Sequence, residues 1–304
     1  SPKKQIIFLI ALLIGVLLPF GSIYIILLFN TKIQVKQDIE ELNVGASVIG
    51  EIPLIDESES RIFQNPKDRN ILAESFRILT SNVNYLLPQN NGNTDGRVIL
   101  VTSSVKGEGK SFIAINMSLA LASLDKKVLL IGADLRNPQL HKYLEVEKSR
   151  EGLTSFLLNS NFDWKSSLIS NFAKLPSHHT LLTGIMPPNP TQLLSNGNFE
   201  KIISQVKKEY DYIIIDTAPT LLVTDTLIIS DYTDAIVYIC RSNYTEKEIL
   251  NYPKELINDG RIKNTGIVIN AVGANSRYDY SYSYKYGYSY NYGYGYGYGI
   301  KKED

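Results

Sequence analysis

Residues 97–124 read RVILVTSSVKGEGKSFIAINMSLALASL, and this stretch restricts the fold more than any other. A run of branched aliphatics leads into a turn with two glycines and a lysine–serine pair, and then into a long apolar segment. That is a strand, a tight loop and a helix in direct succession. The strand has no polar face, so both of its faces must be covered, which calls for a mostly parallel sheet with helices on each side. Later runs fit the same plan: KKVLLIGAD, DYIIIDTAP, DAIVYICR and NTGIVINAV read as strands, and FEKIISQVKKEY as an amphipathic helix. Upstream, NILAESFRILTSNVNYLL spaces Ile71, Leu72, Phe76, Leu79, Val83, Leu86 and Leu87 as one helical face, and Pro88 ends it. The fold class expected is α/β: a P-loop NTPase domain over residues 71–274, its central sheet flanked by helices.

The loop VTSSVKGEGKS offers backbone N–H groups at a helix N-terminus, where the dipole also favours an anion, so it suits phosphate. Ser104, Lys106, Gly107, Glu108, Gly109, Lys110, Ser111 and Phe112 are the candidate binding residues. Lys110 is placed to reach β- and γ-phosphates and the Ser111 hydroxyl to bind Mg2+. The usual pattern has a glycine where Ser104 stands, so this loop departs from the standard form. VLLIGADLRNP sets Asp134 just past a strand end, with Arg136 following, and YIIIDTAP ends in Asp216. Carboxylates at the C-terminal edge of parallel strands can hold Mg2+ or take a proton from a hydroxyl. Asp134 equally suits a turn or an N-cap. Lys110, Asp134 and Asp216 form the candidate catalytic set; Ser111, Asp134 and Asp216 are the candidate metal ligands. Asn270 suits an adenine edge or a turn cap, and Arg241 either lines a nucleotide or faces solvent. TGIMPPNPTQLL reads as a rigid turn into a short helix.

Lys plus Arg and Asp plus Glu stand equal at 31 each, which gives no footing for nucleic-acid binding. The single cysteine, Cys240, excludes a disulfide framework, and its apolar setting reads as buried. His178 and His179 fall in a polar, turn-like stretch with no metal-site spacing. From Ile6 to Phe29 there is no charged residue; as a helix that run spans about 36 Å, enough for a bilayer. Lys3 and Lys4 on one side and Lys32 and Lys36 on the other leave its orientation open. The expected division is a flank (1–5), a transmembrane helix (6–29), a polar connector with a small docking piece (30–70), the nucleotide domain and a tail (275–304). In that tail every second residue is tyrosine: Tyr278, Tyr280, Tyr282, Tyr284, Tyr286, Tyr288, Tyr290, Tyr292, Tyr294, Tyr296 and Tyr298. Alternation would put the rings on one strand face, yet the intervening Gly, Ser and Asn neither pack nor hold a strand. The tail therefore reads as disordered.

Together, the apolar span with its proline, ESFRILTSN, SSVKGEGKS, LLIGADLRNP, IIIDTAP, PPNPTQLL and the terminal tyrosine cluster resemble the bacterial tyrosine kinases. The likeness is to the C-terminal part of Wzc-like polysaccharide co-polymerases in their Bacteroidetes-like form, and it covers nearly the whole chain. The resemblance implies ATP and Mg2+ as cofactors and autophosphorylation of the tail in trans. It implies a homo-oligomeric ring, an octamer, with Glu74 and Arg77 at the interface. The implied partners are a tyrosine phosphatase, a polysaccharide polymerase and outer-membrane export machinery. The implied location is the bacterial inner membrane, with the kinase domain cytoplasmic and the chain the second half of a longer protein. Two positions depart from the family pattern: Gly132 stands where a first aspartate belongs, leaving Asp134 to cover both duties, and Thr80 replaces a second interface arginine. A membrane-tied MinD/ParA-like regulatory ATPase and a scaffold with a non-catalytic nucleotide site stay open. Turnover into free phosphate alone would favour the first, and tight Mg·ATP binding without turnover the second.

Overall fold

A computed structural model describes residues 4–28, 30–55, 62–63, 70–89, 95–148 and 150–273. The tyrosine cluster at 278–298 lies outside the described residues. The chain divides into two units, residues 1–32 and 33–304.

The first unit is α1, Lys4–Leu28, 25 residues long with Pro19 inside it. Ser22 donates its hydroxyl to the Pro19 carbonyl at 2.9 Å. The described side chains are exposed, Phe8 at 74% and Phe20 at 70%. Among the residues described with their side chains, no helical stretch is long and apolar enough to cross a membrane.

The second unit runs in chain order through α2 (Lys36–Leu42), β1 (Ser47–Pro53), α3 (Ile71–Leu86), β2 (Arg97–Ser103), α4 (Lys110–Ala122) and β3 (Val128–Gly132). Next come α5 (Leu140–Tyr143), α6 (Leu153–Leu158), β4 (Ile169–Ser170), β5 (His178–Leu181), α7 (Pro190–Leu194) and α8 (Asn198–Val206). It closes with β6 (Tyr212–Asp216), α9 (Asp225–Ser230), β7 (Ala235–Arg241), α10 (Asn251–Asn258) and β8 (Thr265–Val272). Among the described residues the sheet has eight strands in the order β1-β8-β7-β2-β6-β3-β5-β4. Every pairing is parallel except β4 with β5.

The apolar strands behave as two-faced core. Ile99 and Val101 of β2 turn to the layer holding α3 and α4, with Phe76, Leu79 and Ile113. Val98 and Leu100 turn to the opposite layer, with Phe156, Phe199 and Ile202. α3 starts where the Asn70 side chain accepts the Ala73 N–H at 2.7 Å, an N-cap worth about 1 kcal/mol.

Two readings change. Residues 30–70 are not a tether throughout: β1 joins the sheet beside β8, and Ile33, Ile39, Val44 and Ile52 are buried. Glycine and acidic residues around a short apolar run hid a strand whose partner lies far along the chain. His178 and His179 are not in a turn but in β5. His178 is fully buried and its Nε2 lies 2.9 Å from the Ser118 hydroxyl.

Candidate active site

The strand order puts β6 between β2 and β3, so the loop after β2, the turn after β3 and the end of β6 open at one edge of the sheet. Gly107 and Gly109 carry the phosphate loop through left-handed backbone, φ +92° and +102°, which glycine adopts without the penalty other residues meet. A Cβ on Gly109 would collide with Asn270 Nδ2. α4 begins at Lys110, so the loop ends on the N-terminus of a helix of 13 residues.

Beneath that turn, Ser111 donates its hydroxyl to Asp216 Oδ2 at 2.6 Å. Asp216 is the last residue of β6 and is buried. Burial pushes its carboxyl up to about 7; the Ser111 hydrogen bond and the Lys110 charge pull the other way, and Asp134 adds to the rise. Its second oxygen, Oδ1, is buried with no hydrogen-bond partner among the described atoms. A hydroxyl, a carboxylate with an unpartnered oxygen and a second carboxylate nearby form a hard oxygen set that suits Mg2+. No cluster of three or more His, Cys, Asp or Glu able to hold a metal occurs among the described residues. Mg2+ here would therefore complete its shell with phosphate oxygens and water, as it usually does. Asp134 sits two residues past β3, and its Oδ1 accepts the N–H groups of Arg136 (3.1 Å) and Asn137 (2.8 Å). It is thus both a turn cap and a carboxylate at the mouth.

The structure redistributes several of the other expected binding residues. Ser104 is buried, with its hydroxyl 3.0 Å from that of Tyr238, which also meets the Thr220 hydroxyl at 2.7 Å. The hydroxyl added by the departure from glycine is satisfied inside the domain. Glu108 turns inward: its carboxylate accepts the Val105 N–H and the Thr245 hydroxyl, and burial raises its pKa against those bonds. It is a strut under the loop and not a side-chain ligand. The Phe112 ring packs edge-on to Phe76 at 5.8 Å, so only its backbone N–H is available to phosphate. Asn270 braces the loop: its Nδ2 donates to the Glu108 carbonyl at 2.8 Å. Arg241 donates to the Gly107 carbonyl at 3.0 Å, and the Tyr244 hydroxyl to the Lys106 carbonyl at 2.9 Å. Glu74 and Arg77, expected at an interface, pair with each other along α3 at 3.0 Å.

Gly132 leaves little room for the absent first carboxylate. A Cβ there would lie 2.9 Å from Thr183 Oγ1, and that hydroxyl donates to the Gly132 carbonyl at 2.9 Å. Sequence reasoning also missed a polar network behind Asp134. Asp225, almost fully buried, accepts from Arg136 Nε at 2.8 Å and Nη2 at 3.1 Å, and from the Thr191 hydroxyl at 2.6 Å. The proline-rich turn before α7 is therefore anchored to the acidic turn after β3. The Asp at the start of α9 gave no signal because acidic residues are common in first turns.

A parallel sheet with a lysine–serine loop on a helix N-terminus and buried acids at the strand ends defines a P-loop nucleotide-binding domain. In agreement, a family model described as AAA domain matches residues 96–259. The chain is 34% identical over 205 residues to "Tyrosine-protein kinase YwqD" of Bacillus subtilis, covering 67% of this chain and 82% of that one. It is 30% identical over 288 residues to "Tyrosine-protein kinase ptk" of Acinetobacter johnsonii, covering 91% of this chain but only 38% of that protein. Among solved structures it is similar to the chimerical protein CapA2B2 (29% identity, TM-score 0.68, 78% of this chain and 99% of that one). The BceF tyrosine kinase domain is comparable (26% identity, TM-score 0.65, 79% and 99%). The chain belongs to the bacterial tyrosine-protein kinase family, and it spans less than two fifths of the length of its longer relatives such as ptk.

Proposed function

We propose that the chain is an ATP-dependent tyrosine autokinase that phosphorylates Tyr278–Tyr298 of a neighbouring copy. The observation that carries this reading is the 2.6 Å contact between Ser111 and Asp216 under the Lys110 loop, with Asp134 at the same mouth. The loop amides and Lys110 would hold the phosphates, and Ser111 and Asp216 the Mg2+, which offsets charge on the transferring group. Asp134 would orient the tyrosine hydroxyl and take its proton. The new O–P bond forms as the β–γ bridging bond breaks, leaving ADP.

In this reading the uncharged run from Ile6 to Phe29, which takes in most of α1, is the membrane anchor, and the domain from residue 33 lies on the cytoplasmic side. Glu74 and Arg77 would exchange their pairing within α3 for contacts with the next copy in a ring. Several phosphates, each adding about −1.5 to −2 charges, would then loosen the ring and govern polysaccharide polymerisation and export. The scaffold reading draws on the missing carboxylate at Gly132 and on Thr80 in place of a second interface arginine; the regulatory-ATPase reading draws on a nucleotide loop that resembles that of MinD/ParA-like ATPases.

The test is intact-mass and phosphopeptide mass spectrometry of the detergent-solubilised protein beside Lys110→Met, each stripped with phosphatase and then given Mg·ATP. Additions of phosphate on the tail of the parent alone support the kinase. Free phosphate released with an unmodified tail supports the regulatory ATPase, and tight nucleotide binding with neither product supports the scaffold.

A further inference from the structure

Among the described residues, large apolar side chains stand exposed on two loops at the catalytic edge of the sheet. Ile185 is 63% exposed and Met186 46%, on the loop that leaves β5; Leu221 is 39% exposed and Leu222 65%, on the loop that leaves β6. β5 and β6 lie on either side of β3, so the two loops flank the Asp134 turn. Both loops are tied to their neighbours. Thr183, two residues before Ile185, bonds to the Gly132 carbonyl, and the Leu221 N–H donates to the Ser104 carbonyl at 3.3 Å. The far ends of the loops meet where the Thr191 hydroxyl reaches Asp225. Exposed leucine, isoleucine and methionine held on tethered loops beside a site gain nothing from water and suit an apolar or aromatic partner.

The chain carries such a partner in its own tail. An extended peptide places residues i and i+2 on one side, about 7 Å apart, and from Tyr278 to Tyr298 those positions are all tyrosine. The residues between them are Gly, Ser, Asn, Asp and Lys, with no large apolar group to compete for the contact. We infer that Ile185, Met186, Leu221 and Leu222 form an acceptor rim that takes the tyrosine next but one to the tyrosine being phosphorylated, which makes Tyr-x-Tyr the preferred substrate. This inference rests on the kinase reading above and adds a specificity to it. The alternating pattern then has a second use, since each tyrosine serves in turn as reacting group and as anchor.

The test compares two peptides on the full-length protein: residues 290–299, and the same peptide with Tyr290, Tyr292, Tyr296 and Tyr298 changed to serine. The tail of the protein itself competes equally with both, so the ratio of kcat/KM per tyrosine is unaffected by it. The expected ratio for the parent is about tenfold or more in favour of the multi-tyrosine peptide, the size of one aromatic–apolar contact. Ile185→Ser/Met186→Ser and Leu222→Ser should bring the ratio towards one while the KM for ATP and the rate on the single-tyrosine peptide hold. A parent ratio near one overturns the inference, as does an unchanged ratio in both variants. A change in oligomer size on sedimentation of the variants would also overturn it, because the rim would then be a contact between domains. Phosphate on neither peptide, with ATP still bound by the parent, sinks the kinase reading and the inference with it.

Discussion

Arg136 grips Asp225 with two guanidinium nitrogens, at 2.8 and 3.1 Å, while its own backbone N–H holds Asp134 at 3.1 Å. One residue thus links a buried acid on α9 to the carboxylate at the mouth of the site. Asp225→Asn keeps the shape but removes the charge, at a cost of about 2 kcal/mol for charge-assisted bonds of this kind. The expected outcome is a kcat lowered by about 10- to 100-fold, the effect of a small misplacement of a reacting group. The KM for ATP should stay within about threefold, because no phosphate contact changes. Steady-state kinetics that show the loss in KM instead would place Arg136 on the nucleotide.

Gly109 carries the sharpest backbone requirement in the loop. In Gly109→Ala the new methyl meets left-handed backbone and the Asn270 amide together. Strain of about 1–2 kcal/mol and the displaced brace should weaken ATP binding by at least about tenfold. Circular dichroism should remain that of the parent, and calorimetry of nucleotide binding reads the effect directly.

At Gly132 a side chain has no free place to go. Gly132→Asp, which restores the carboxylate of the family pattern, should destabilise the domain by about 1–3 kcal/mol through overpacking against Thr183. Adding Thr183→Ala removes the closest atom and should recover part of that loss. Denaturant midpoints of the single and double variants settle it; an unaffected single variant would show that the β3 turn can yield.

His178 gives the chain an acid-sensitive core. Ser118 donates its hydroxyl to the Ile115 carbonyl, which leaves His178 Nε2 as donor to Ser118. Nδ1 is buried with no hydrogen-bond partner among the described residues, and burial, helped by the neighbouring His179, holds the pKa down to about 3. The unfolded chain binds this proton near its ordinary value of 6.5 and the folded chain does not. Stability therefore falls as pH drops below about 6.5, by up to about 1.4 kcal/mol per pH unit until the folded value is reached. Carboxylates contribute below about pH 5, so the informative quantity is the difference between the parent and His178→Gln. The variant should show a flatter urea midpoint between about pH 6.5 and 5, and parallel curves would refute the assignment.

The sequence made legible the parts that repeat a period. Continuous aliphatic strands, the helical spacing of α3 and the order of loop, Asp134 and Asp216 all announced themselves, because burial on two faces leaves a local pattern. What escaped was non-local. Glu108 looked like a loop ligand until Thr245, far along the chain, was seen to hold it. Phe112 stood beside Ser111 in sequence, yet a helix turns adjacent residues about 100° apart, and its ring went to the core. β1 was hidden for a third reason, since Gly50, Glu51 and two register shifts against β8 break its apolar run.

That edge strand has a practical consequence. β1 closes the β8 margin of the sheet through the register Ser47 to Pro53 against Gly266 to Val272. A protein trimmed to begin at α3 would leave β8 with a bare row of N–H and C=O groups, an adhesive rim open to any extended chain. The domain should therefore be expressed from residue 33 to stay soluble. In the trimmed version a free peptide of residues 47–53 should act as a replacement rim, clipping on where the covalent strand was removed.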